Sequence, residues 1–238
     1  MGILFRLSLR QMLRPRRLLI LLFIAAVPVA LSAIARLAPP GDPDEFRESV
    51  LMGPFVISAV MPIVTVVLAT ASLGHEVEDR TFSYLFLKPV ARWQIAAPKI
   101  AAAALVSALL VLGSGTLTAI IAPGGGAMTS IAIAGGLLVG VLAYTSVFVW
   151  AGLMTSYALP LGLVYVFLWE AAIVQFMQGV RWLSIRHYTL ATIHGLDDVQ
   201  FAGDAAMLDL AQALPAAGIV IVLFVTLTVR RIMRMDVP

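Results

Sequence analysis

The sequence predicts an all-α polytopic membrane protein, and two observations carry that prediction. Of its 238 residues, 61% are apolar and 12% charged, with a mean hydropathy of +0.99. Soluble domains are about half apolar and about a quarter charged. The apolar residues also gather into runs long enough to cross a bilayer as helices, which satisfy their own backbone groups in lipid. Lipid is therefore the main solvent. The pI of about 9.6 does not point to nucleic acid. The basic residues cluster beside apolar runs, where they orient a membrane chain. Cysteine is absent, which excludes disulfides and thiolate metal sites.

Six spans are expected: Leu18 to Ala35, Gly53 to Leu73, Ile95 to Ala122, Ser130 to Thr155, Leu159 to Met177, and Ala213 to Val229. The first follows the basic run RPRR, and the third ends in the turn PGGG. Pro160 falls in the first turn of the fifth, where a missing N–H does no harm. Ahead of the first span, ILFRLSLRQMLR (residues 3–14) spaces Arg6, Arg10 and Arg14 four apart among Leu4, Phe5, Leu9, Met12 and Leu13. That pattern suits a helix lying in the membrane interface; a plain basic flank is the alternative. The small residues of ALSAIA (30–35) also allow a signal-peptide reading, which the length of the run and the five spans behind it oppose.

Charge sets the expected orientation. With the N-terminus in the cytoplasm, 12 basic residues fall inside and four outside: Arg36, Arg47, Arg181 and Arg186. Both termini are then cytoplasmic. Residues 178–212 become a long outer element whose apolar pieces are too short to span. A re-entrant or surface-lying helical pair fits, where protein covers its backbone.

The densest mixed charge lies in a cytoplasmic connector, residues 74–94. Read as a helix from Glu76 to Leu87, it has Glu76, Glu78 and Asp79 in its first turn, where negative charge suits the helix dipole. Glu76 and Arg80 form a favourable i,i+4 pair. Phe82, Leu85 and Phe86 share a face. Pro89 stops the helix before Arg92 and Trp93 return the chain to the interface. This reads equally as an ordinary interfacial helix with its phenylalanines in lipid, or as a docking helix for a cytoplasmic partner.

The pattern Glu76, Glu78, Thr81, Leu85, Pro89, Val90, Arg92, Ile95 and Lys99 resembles the cytoplasmic loop of type 2 ATP-binding-cassette (ABC) permeases. LVYVFLWEAAIVQF and VRWLSIRHY (163–176 and 180–188) are similar to the end of span five in bacterial members. The resemblance implies a single permease domain of six spans. It implies an interfacial helix over 1–17, a coupling helix between spans two and three, an extracellular element at 178–212 and a cytoplasmic tail from 230. It implies docking on an ABC ATPase through Glu76, Glu78, Asp79, Arg80, Thr81, Phe82, Leu85 and Phe86, with Glu78, Arg80 and Phe82 foremost. It further implies a dimer of permease chains in a bacterial cytoplasmic membrane, exporting a cargo the sequence does not specify. No phosphate loop of the form GxxxxGK(S/T) is present, so ATP and Mg belong to the partner chain, and this chain is expected to hold no cofactor and to catalyse nothing.

Three further residues stand out. Glu170 lies near the middle of the fifth span, where a carboxylate should face protein or water. It could contact cargo, gate, or relay protons, and a proton-coupled secondary transporter is the alternative function. It could instead staple its span to Ser107, Ser114, Thr145 or Ser146. Gly136 and Gly140 form a GxxxG in span four, suited to close packing within the chain. His75, His187 and His194 are scattered, so no metal site is expected.

Overall fold

The computed structural model describes residues 2–37, 46–78, 93–122, 126–174, 178–197 and 208–234. These are helical, without strands among the described residues. Helix α1 (Gly2–Met12) precedes α2 (Pro15–Leu37). A segment wound as a π-helix, Phe46–Val60, leads into α3 (Met61–Glu78); Pro54 inside it has no N–H for an α-helical ladder. Then come α4 (Trp93–Ile121) and α5 (Ala127–Met154). Helix α6 (Ala158–Val164) continues as a π-wound segment, Tyr165–Ile173. A 3-10 turn, Gln178–Leu183, is followed by α7 (Ile185–Leu196) and α8 (Leu210–Arg234).

Helix α5 is the axis of the bundle: α3, α4, α7 and α8 all pack on it. It carries no charge between Ala127 and Met154, and its glycines let neighbours approach. A Cβ at Gly152 would lie 2.8 Å from the Thr70 carbonyl oxygen, and one at Gly136 would lie 2.7 Å from the Thr189 carbonyl oxygen. Without a hydrophobic drive between helices in lipid, such close contact is what holds them together. The periphery is different. The Leu51–Gly74 window is 67% buried, but the Leu210–Arg234 window only 11%. Phe23, Leu109, Ile131, Ile219 and Val222 point outward, a surface suited to hydrocarbon. Helix α1 turns Ser8 and Met12 into the bundle and keeps Arg6 and Arg10 exposed.

Among the described residues, five helices are long and apolar enough to cross a membrane: Pro15–Leu37, Leu51–Gly74, Ala96–Ile121, Ala127–Met154 and Leu210–Arg234. The expected fifth span, Leu159 to Met177, is helical over residues 158–174, and residues 175–177 lie outside the described ones. This stretch and α7 both lie along α5. Gly162 lies against Phe148, Glu170 bonds Tyr144, Thr189 meets Gly140, Ile193 meets Gly136, and Leu196 meets Gly135. The register falls steadily, so α6 with its π-wound extension, and then α7, both run antiparallel to α5. Helix α7 has 12 residues, about 18 Å at 1.5 Å per residue, too short to cross roughly 30 Å alone. Of the expected re-entrant or surface element, residues 178–197 are described. Its α7 is packed inside the bundle, with Ile185 and every residue from His187 to Ile193 buried. Small and β-branched side chains on α7 fit the glycine face of α5.

Candidate functional site

The helical stretch 158–174 carries a carboxylate. Glu170 sits on the π-wound segment and is 3% exposed. Tyr144 donates its hydroxyl to Oε2. The Tyr165 hydroxyl reaches Oε1 at 3.2 Å, and the Ile185 backbone N–H donates to the same oxygen at 2.9 Å. The Arg186 backbone N–H also points to the carboxylate. Glu170 therefore sits at the N-terminus of α7, where unpaired N–H groups and the helix dipole favour negative charge. Ser184 caps the same end. Its hydroxyl oxygen accepts from the His187 backbone N–H and lies 3.0 Å from His187 Nδ1. The Tyr188 hydroxyl closes the preceding turn on the Trp182 carbonyl.

The partners proposed from sequence for Glu170 are corrected. Ser114 donates to the Ala25 carbonyl at 2.6 Å and Ser146 to the Ala143 carbonyl at 2.8 Å. Ser107 Oγ and Thr145 Oγ1 have no hydrogen-bond partner among the described residues. The reason is angular. Successive residues on a helix point about 100° apart, so Tyr144 faces Glu170 and Thr145 does not. A tyrosine also reaches farther than a serine. Tyr144, Tyr165 and Ser184 were missed, although Ser184 ahead of an apolar-periodic stretch is an N-cap signal.

Gly136 and Gly140 lie where α5 meets α7, and Gly140 also faces Met61 of α3. The connector is described only at its roots. Helix α3 is continuous through Glu78, so His75, Glu76 and Glu78 extend the second span rather than open a separate helix. Asp79, Arg80, Thr81, Phe82, Leu85 and Phe86 lie outside the described residues. Lys99, expected among the cytoplasmic charges, is buried, and its ammonium reaches the Ser72 carbonyl at 3.4 Å. It ties α4 to α3 beside the connector. Among the described residues no His, Asp and Glu cluster could hold a metal ion.

Long apolar helices packed around a glycine-lined axis mark a multi-pass membrane protein. Residues 11–176 match the model of the family described as ABC-2 family transporter protein, and the chain belongs to that family. Membership makes it a membrane transport component and implies association with an ABC ATPase. No curated protein matches the sequence significantly.

Proposed function

We propose that this chain is the permease subunit of an ATP-driven exporter. ATP and Mg bind a separate ATPase, and this chain catalyses nothing itself. Two copies form a homodimer in a bacterial cytoplasmic membrane, with both termini in the cytoplasm, as the 12-to-4 charge asymmetry favours. The reading rests on the continuity of α3. One end carries Glu76 and Glu78 toward the connector. Its middle is pressed against Gly152, and Met61 at its other end touches Thr189 of α7. A displacement applied at the connector would travel along this helix into α5 and α7. Close-packed contacts shift as units rather than deform smoothly.

The docking surface is assigned to Glu78, Arg80 and Phe82 first, then Glu76, Asp79, Thr81, Leu85 and Phe86. Combining Glu78→Lys with Phe82→Ala should abolish co-purification of the ATPase while leaving the permease folded. Normal association and normal stimulation of hydrolysis in that double variant would defeat the assignment. The proton-carrier reading of Glu170 is disfavoured by geometry. Its oxygens accept from two hydroxyls and two backbone N–H groups, all from the protein.

A further inference from the structure

We propose that Arg186 binds the carboxylate or phosphate headgroup of an amphiphilic cargo within the membrane. The inference rests on the reading of this chain as a permease. Charge counting places Arg186 on the outer side, but the packing of α7 sets it deep. Ile185 shares the Glu170 carboxylate with Tyr144, and Thr189 meets Gly140. Arg186 is therefore level with the Gly140–Tyr144 turn of α5. Tyr144 is ten residues from Met154, and Gly140 is thirteen from Ala127. At 1.5 Å per residue, that turn is about 15 Å or more from either end of α5. Basic side chains near helix ends snorkel to the interface, and this one has no end nearby. An ionised side chain at such depth faces protein, water or a ligand.

The surrounding protein leaves a donor of this guanidinium unmatched. Nε of Arg186 is closed to solvent and has no hydrogen-bond partner among the described residues. Its charge lies near enough to Tyr144 to act there. The neighbouring carboxylate is already filled. Glu170 accepts from the Tyr144 and Tyr165 hydroxyls and from the Ile185 and Arg186 backbone N–H groups. Trp169, next to Glu170 in the chain, has its indole N–H buried without an acceptor as well. Donors thus outnumber acceptors around Glu170, and the missing component is an acceptor. A guanidinium fork meets a carboxylate or a phosphate through two parallel bonds. Arg186 is half-buried, which leaves one side of it accessible. Phe167 and Leu168 before Glu170, and Trp182 and Leu183 before α7, are exposed apolar side chains. The Glu170 charge weakens the pull on any anion, so a small soluble one would gain little here. An amphiphile adds the burial of its tail.

Native mass spectrometry of the full chain in detergent, without any ATPase, tests it with dodecanoate and its uncharged isostere dodecanamide. Dodecanoate should be retained in preference. Arg186→Gln should lower that retention roughly tenfold, the scale of losing one charge-assisted bidentate contact. Arg36→Gln, exposed at the far end of α2, should leave it nearly unchanged. Arg186→Gln should also keep the Tm of the ligand-free chain within about 3 °C of the parent, because no partner in the chain is lost. Equal retention of the two probes, or equal loss in Arg36→Gln and Arg186→Gln, would overturn the proposal. A larger fall in Tm would give the guanidinium a structural partner within the chain and overturn it too. Displacement of dodecanoate by millimolar acetate would assign the site to a soluble anion and overturn the amphiphile. The permease reading is tested separately by ATPase co-purification, which none of these outcomes alters.

Discussion

Replacing Glu170 by leucine should detach α7 from the bundle. The change removes the acceptor for the Tyr144 hydroxyl and the Ile185 N–H, both buried. The Tyr165 hydroxyl can turn to the Leu183 carbonyl, already 3.3 Å away, so it is not stranded. Each stranded buried donor costs about 1–3 kcal/mol. Removing the carboxylate also relieves its own desolvation, which is a few kcal/mol at depth. The net loss should fall in the lower half of the sum, about 2–4 kcal/mol. At roughly 2–4 °C per kcal/mol for a chain of this size, that lowers Tm by about 4–16 °C. Glu170→Gln keeps one oxygen for Ile185 and presents an amide to the Tyr144 oxygen, so its loss should stay below about 1 kcal/mol.

Thermal unfolding in detergent measures the difference. A cysteine at Thr189 reports the mechanism, since the chain has no native cysteine and Thr189 is fully buried on α7. Maleimide labelling of that cysteine should accelerate in the leucine variant and not in the glutamine variant. Equal destabilisation by both substitutions would refute the capping argument. So would a leucine variant as stable and as protected as the parent. Loss of transport in a fully stable glutamine variant would revive the proton-carrier role.

Other outcomes follow from the same contacts. Gly152→Ala places a methyl 2.8 Å from the Thr70 backbone oxygen, so α3 and α5 must separate at a cost of about 1–3 kcal/mol. Gly113→Ala meets nothing within 4 Å and should stabilise by up to about 1 kcal/mol through helix propensity; the pair, compared by thermal unfolding, separates packing from propensity. Single cysteines at Arg10 and Arg234 should resist an impermeant reagent in intact cells and react after lysis, whereas one at Met128 should react in intact cells. The opposite pattern at either terminus would invert or break the proposed topology.

The legible part of this protein was what composition and length decide. Apolar runs near 20 residues have one stable state in lipid, so five crossings were readable within a few residues of their observed ends. The amphipathic α1 was readable because its arginines recur every four residues. Glu170 announced itself by being a carboxylate in an apolar run. The packing of α7 against α5 was not readable. Residues 185–196 form a helix too short for hydropathy to place inside or outside the bundle.

The sequence by itself determined the solvent and the place of five long crossings. Each depends only on local composition summed along a segment. The tertiary structure decided where α7 packs, which hydroxyls serve Glu170, and that Lys99 lies inside rather than in the cytoplasmic headgroups. Those depend on which face of one helix meets another. Tyr144 and Ile185 are 41 positions apart in the chain, and they share a carboxylate only because Gly136 and Gly140 let α7 lie flat on α5.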